Sequence, residues 1–274
     1  MPRPVIHQDI IDQVIYALRD DRAALRRCCT VSHSFLIPSL KQLFYDIEIN
    51  YPPLLNGLIH VLSIHPEYLS YIRILCLSWL EIETVEKASF IRLIEDLADR
   101  RVLRIFTFRI HHSWEALSVP IQAALIRLFH CPSLHTINSY MCRYTFPVSI
   151  LGLSTGLRHL NFFDDWHNSS CRHPAAVSPM IIPSPSAASH EIYLESLRVG
   201  LETNAPALVG YLSRPNCPLK ISQLRELRIR SHYPLPTAAA IVMNGASRSL
   251  ESFIWNVNES YGVPQSSGED GFES

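Results

Sequence analysis

The chain has 274 residues, with 24 Lys and Arg against 25 Asp and Glu and a formal net charge of −1. Such a balance lacks the cationic excess that displaces phosphate counterions, and it excludes a broad nucleic-acid footprint. With 47% hydrophobic residues, only 18% charged, and 9 Gly against 19 Pro, the composition describes a core-rich folded chain and disfavours glycine loops that cradle phosphates.

The first residues, Met1-Pro2-Arg3-Pro4-Val5, turn polar at His7-Gln8-Asp9 without the apolar core of a secretory signal. No later stretch reaches the roughly 18 uninterrupted apolar residues of a membrane span. The seven cysteines are odd in number and sit in apolar context, as reduced thiols do. An intracellular protein is expected, in the cytoplasm, the nucleus or both. Three short helices then follow. Asp9 suits the cap of a helix carrying Ile10, Ile11, Val14, Ile15 and Leu18. Asp20-Asp21 opens a second with Ala24, Leu25, Cys28 and Cys29, and Ser32 or Ser34 caps a third through Phe35, Leu36, Leu40, Leu43 and Phe44. Helices this short cannot bury such faces alone, so a partner or the first downstream unit must cover them.

From residue 49 a different pattern takes over, apolar-x-x-apolar-x-apolar. It occurs at Ile72-x-x-Leu75-x-Leu77, Leu103-x-x-Phe106-x-Phe108, Leu134-x-x-Ile137-x-Ser139, Leu157-x-x-Leu160-x-Phe162, Leu194-x-x-Leu197-x-Val199, Leu224-x-x-Leu227-x-Ile229 and Leu250-x-x-Phe253-x-Trp255. The steps between copies are 31, 31, 23, 37, 30 and 26 residues. Each copy ends in the period-two alternation of a half-buried strand. Helical segments are predicted between copies at 54–64, 83–100, 121–129 (after Ser118-Val119-Pro120), 206–212 and 237–246. Units of strand and helix hide their apolar faces by stacking, which predicts a curved parallel sheet lined outside by helices. A doubly wound α/β domain is the competing use of the same alternation. The long step of 37 is assigned to an inserted loop at 164–191 holding Pro174, Pro179, Pro183 and Pro185, and 258–274 reads as a disordered tail. After Trp255 no helix is predicted to cover the last strand, which leaves a bare sheet edge.

The string from Ile6 to Leu18, with Asp20-Asp21, Leu25, Cys28, Val31-Ser32-x-Ser34-Phe35 and Leu43-Phe44-x-x-Ile47, resembles the F-box, particularly its divergent fungal forms. The resemblance covers about 45 residues. His7 stands where that family usually has proline, and Phe35 where it usually has tryptophan. The downstream units look like the irregular leucine-rich repeats often found behind an F-box, without the asparagine of regular repeats. The resemblance implies an α/β chain in three parts: an F-box-like three-helix module at 1–48, an irregular leucine-rich-repeat-like solenoid at 49–257, and the tail. It implies a substrate-recognition subunit of a Skp-cullin-F-box ubiquitin ligase, non-catalytic and without a cofactor. The face toward the Skp-type adaptor, and through it a cullin, would use Ile6, Ile10, Ile11, Val14, Leu18, Leu25, Val31 and Phe35. The alternative is a leucine-rich scaffold whose helices only cap the solenoid.

In a stacked arrangement, residues interleaved with the buried strand positions face the concave surface. They include Arg109, Tyr140, Phe163, Arg198, Arg228 and Arg230, four arginines with no carboxylate among the interleaved residues. Arginine forks suit carboxylate or phosphate, so an acidic or phosphorylated protein segment anchored on Tyr140 and Phe163 is one expectation. Ordinary surface charges pairing with neighbours such as Glu226 are the other. Neither nucleic acid nor membrane is expected as a partner. Two chemical motifs have simpler roles as well. Gly152-Leu153-Ser154-Thr155-Gly156 matches a nucleophile elbow, but it precedes a strand instead of following one, so a glycine-terminated turn is preferred. His167-x-x-x-Cys171-x-His173 offers metal-ligand types in a proline-rich loop without a second matching pair, so no metal is expected.

Overall fold

The computed structural model describes residues 6–78, 87–110, 114, 117–141, 147–164, 190–200, 205–231 and 236–257. Three helices come first: α1 (Gln8–Ala17), α2 (Arg22–Cys28) and α3 (His33–Leu43). Both α1 and α2 pack on α3, and Ile11, Ile15 and Leu25 form a small core of their own, ringed by Leu18, Cys28, Phe35 and Leu43. Asp21 caps α2, its carboxylate accepting the Ala24 N–H at 2.9 Å. Asp9 is not a cap. His7 occupies that position in α1, and Asp9 sits in the first turn, where the helix dipole favours a carboxylate, 3.2 Å from the His7 ring. Pro38 lies inside α3 and cannot donate to the Ser34 carbonyl; the Gln8 side chain of α1 does so instead, at 3.3 Å.

The rest of the chain alternates strand and helix. In order come β1 (Asp46–Ile49), α4 (Pro52–Ile64), a 3₁₀ turn (Pro66–Tyr71), β2 (Ile74–Ser78), α5 (Lys87–Arg100), β3 (Ile105–Ile110), α6 (Val119–Phe129), β4 (Thr136–Met141), a second 3₁₀ turn (Val148–Leu153) and β5 (His159–Asp164). They are followed by β6 (Ile192–Tyr193), β7 (Ser196–Gly200), α7 (Ala205–Leu212), β8 (Leu219–Lys220), β9 (Glu226–Ser231), α8 (Pro236–Ala246) and β10 (Ser252–Val257). Eight strands form one parallel sheet in the order β1-β2-β3-β4-β5-β7-β9-β10, while β6 and β8 make a separate parallel pair. The order never reverses. A doubly wound sheet has a point where it does, so that alternative is excluded.

One backbone device recurs at every step. The carbonyls of Tyr45, Arg73, Arg104, His135, Arg158, Glu195 and Arg225 each accept two N–H groups from the start of the next strand, at 2.8–3.1 Å. The residue before each of these carbonyls opens the sequence pattern, and from Ile72 to Leu224 all six are buried. Two rows then run across the sheet on its helix-covered face. One passes Ile47, Leu75, Phe106, Ile137, Leu160, Leu197, Leu227 and Phe253; the other passes Ile49, Leu77, Phe108, Ser139, Phe162, Val199, Ile229 and Trp255. Ser139, the odd member of its row, registers between Phe108 and Phe162 and is fully buried. Phe129 of α6 meets Phe106 and Phe108 edge-on, with ring centroids 5.9 and 5.8 Å apart.

One boundary changes. The domain boundary at 48 cuts β1, because Phe44-x-x-Ile47-x-Ile49 is itself a copy of the pattern, 28 residues before Ile72, and pairs with β2. The sheet starts there, and the helical unit ends at Leu43. Of the helix predicted at 83–100, Lys87–Arg100 is helical and 83–86 lie outside the described residues. Residues 165–189 of the inserted loop and 258–274 of the tail lie outside the described residues. Among the described residues, no helix is long and apolar enough to cross a membrane.

Candidate protein-interaction surfaces

The eight residues expected to face an adaptor divide into two groups. Ile11 and Leu25 are 3% and 0% exposed and belong to the module's own core, while Leu18 and Phe35 are half-buried against it. Ile6, Ile10, Val14 and Val31 are 55%, 54%, 44% and 65% exposed. Three of these recur at steps of four, so they share one side of α1 and the residues leading into it. Tyr16, also on α1, and Ile37 on α3 are exposed apolar residues that the sequence reading did not single out. Arg22 donates to the Leu43 carbonyl at the end of α3 at 3.0 Å and ties the module to the sheet by donating to the Asp46 carbonyl at 3.1 Å.

On the sheet face opposite the helices, strand register aligns three rows. The central row reads Glu48, Cys76, Thr107, Asn138, Asn161, Arg198, Arg228 and Ile254. Its middle is a hydrogen-bonded ladder: Asn161 donates to Asn138 at 2.6 Å, and Asn138 donates to Thr107 at 2.8 Å. The row at the strand ends carries Ser78, Arg109, Tyr140, Phe163, Gly200, Arg230 and Asn256. Here the Arg109 guanidinium lies 4.7 Å over the Tyr140 ring, and Tyr140 stacks on Phe163 with centroids 5.7 Å apart. Arg109 Nε, Asn161 Oδ1 and Arg198 Nε are shielded from solvent with no hydrogen-bond partner, an unpaired donor–acceptor–donor set beside the aromatic pair.

Carboxylates stand on this face outside the interleaved positions read from the sequence. Glu226 stands in the third row, at the strand beginnings, and accepts from Arg198 at 3.2 Å, from Ser196 at 3.3 Å and from Arg228. Burial works to raise the Glu226 carboxyl, but the hydrogen bond from Arg228 and the charges of Arg198 and Arg228 outweigh it and hold the group below its ordinary value. At the other end β1 adds Asp46 and Glu48; burial pushes the Asp46 carboxyl up, against the opposing charge of Arg22. The face is therefore polarised, acidic at β1 and cationic from β3 to β9.

The elbow-like and metal-like motifs have other places in the structure. Ser154 is fully buried in the turn before β5, its hydroxyl unpaired, so no substrate reaches it. The flanking glycines serve close packing: a Cβ on Gly156 would lie 2.0 Å from the Pro132 carbonyl oxygen, and one on Gly152 would lie 2.5 Å from Pro218 and from the Tyr211 hydroxyl. His167, Cys171 and His173 lie outside the described residues, among which no His, Cys, Asp and Glu group could hold a metal ion. A small hollow of about 160 Å³ beside Cys217, Lys220 and Gly245 is below the size of an ordinary ligand pocket.

These features define an α/β chain with one parallel sheet in chain order and a separately cored three-helix unit at its β1 end. Compared with known proteins, the chain matches no family model, no curated protein and no solved structure.

Proposed function

We propose that the chain is a substrate-recognition subunit of a Skp-cullin-F-box ubiquitin ligase, with the three-helix unit binding the Skp-type adaptor and the sheet, read as an irregular leucine-rich-repeat-like solenoid, holding a protein substrate. The observation that supports this most is the exposed stripe Ile6, Ile10 and Val14 on a unit whose own core is already complete. A module that only covered the sheet would turn its apolar side chains inward. Such a receptor does no bond chemistry; it acts by raising the substrate's effective concentration near the ligase. The partners would be the adaptor, a cullin through it, and a substrate segment with acidic or phosphorylated residues toward Arg109 and Arg230. A cap without an adaptor is the second reading, favoured by the Arg22 bond to the Asp46 carbonyl that fixes the helices to β1.

Co-purification of the full chain with a recombinant Skp-type adaptor tests both. Ile10→Glu/Val14→Glu changes exposed positions only, so it should fold as wild type and lose adaptor binding by at least about tenfold. A wild type that binds no adaptor, or a double variant that binds as well, leaves the cap reading standing and ends the receptor one. Leu25→Glu is unsuitable because it charges the module's core.

A further inference from the structure

The acidic counterpart of the cationic sheet face lies in the same chain. Residues 258–274 hold Glu259, Glu269, Asp270 and Glu273 with no Lys or Arg, which leaves residues 1–257 with a formal charge of +3. The segment also carries Phe272 in the run Glu269-Asp270-Gly271-Phe272-Glu273, an aromatic ring flanked by carboxylates. The strand-end row offers the complement: a guanidinium stacked on two rings, Arg109 on Tyr140 on Phe163. We propose that residues 258–274 dock across this face of the sheet, with Glu259 toward Arg230 and Arg228 and the Phe272 run toward Tyr140, Phe163 and Arg109, so that the chain supplies a ligand to its own binding surface.

Chain geometry supports the assignment. The segment leaves from Val257, at the end of β10, and Asn256 of that strand registers with Arg230. It therefore emerges at the same end of the strands as the row it would occupy. Arg109 lies five strands further on, about 24 Å at roughly 4.8 Å per strand. Seventeen residues span up to about 58 Å when extended, so the Phe272 run reaches with length to spare. Glu259 falls two residues after Val257 and can meet only the near arginines; the other three acids fall 12 to 16 residues on. The inference goes beyond the ligase reading and holds whether or not the helices bind an adaptor, because it uses only the sheet face.

The test uses the full chain and a fluorescein-labelled peptide of residues 258–274 added in trans. In the variant Glu259→Gln/Glu269→Gln/Asp270→Asn/Glu273→Gln the chain's own segment no longer competes, and the peptide should bind. Wild type should bind it about tenfold more weakly, as follows from an effective concentration near 1 mM and an intrinsic Kd of about 0.1 mM. Adding Arg228→Glu/Arg230→Glu to the neutralised chain should weaken binding at least about tenfold, as should raising salt from about 50 to 500 mM. If the charge-reversed chain does not fold by circular dichroism, Arg230→Gln and the salt series decide the matter. Failure of the neutralised chain to bind, equal binding by wild type, or indifference to both the arginines and salt each overturns the proposal. Adaptor capture by the same variants should stay at wild-type level, which keeps this result separate from the ligase reading.

Discussion

At Ser139 a hydroxyl is buried without a partner in the middle of a hydrophobic row, and Ser154 repeats the situation at the turn before β5. An unmade hydrogen bond of this kind costs about 1–3 kcal/mol, so Ser139→Ala is expected to stabilise the chain by about 0.5–1.5 kcal/mol in urea unfolding, since it removes the orphan and leaves almost no new space. Gly156 is the opposite case. Gly156→Ala must push the Pro132 carbonyl aside, and a loss above about 2 kcal/mol is expected in the same measurement. Two ionisable residues contribute to the acid side of the stability profile. Glu226 titrates below its ordinary 4.5 in the folded chain, so its contribution is complete above that value and is lost as pH falls toward the folded one. His135 is lowered from 6.5 by burial and by Arg158, Arg104 and His159, so its protonation favours the unfolded chain and stability falls from about pH 6.5 downward. Glu226→Gln should flatten the lower window and His135→Asn the upper one, read as urea midpoints from pH 3 to 8. Of these two ionisable residues, only Glu226 was legible in the sequence, as a partner for the arginines. The interleaved positions read there were the last two of each strand, and Glu226 enters its strand one step earlier, on the same face.

Individual elements were easier to read than their neighbours in space. Seven of the eight main strands announce themselves because the pattern puts apolar side chains on the inner rows, two in each strand except β4, where Ser139 takes one of the positions. β1 escaped because Phe44 and Ile47 also fit the end of a helical pattern, and four residues give alternation little room to show. β6 and β8 are two residues each, too short for any period. The adaptor face was half legible: helical spacing identified the apolar positions of α1, but only packing against α3 separates Ile11, turned inward, from Ile10 and Val14, turned out. Within the sheet, α6 anchors the centre through Phe129. Phe129→Ala is expected to cost about 3–5 kcal/mol in urea unfolding, because the cavity would open onto Phe106 and Phe108, which cannot collapse into it from a hydrogen-bonded strand.

Across the whole molecule, each unit touches chiefly the one before and the one after, so stability is a chain of nearest-neighbour terms. The central strands have neighbours on both sides and a covered inner face. β10 has one neighbour, and Phe253 on its inner row is 39% exposed where Leu227 beside it is buried. Native-state hydrogen exchange should therefore show the slowest amides in β3, β4 and β5 and the fastest strand amides in β10; uniform protection across the sheet would contradict the nearest-neighbour picture.

The doubly accepting carbonyl at the start of each strand has a consequence for how such a chain can change. It sets the next strand's alignment from the backbone of the strand before, without reference to the path between them. Spacings of 23 and 37 residues consequently end on the same alignment. Connections can lengthen, shorten or be exchanged wholesale while the lattice of strands stays in phase. The segment between Asp164 and Ile192 is thus a natural port, where a tag or a foreign domain could be spliced in while the surfaces on either side keep their relative positions.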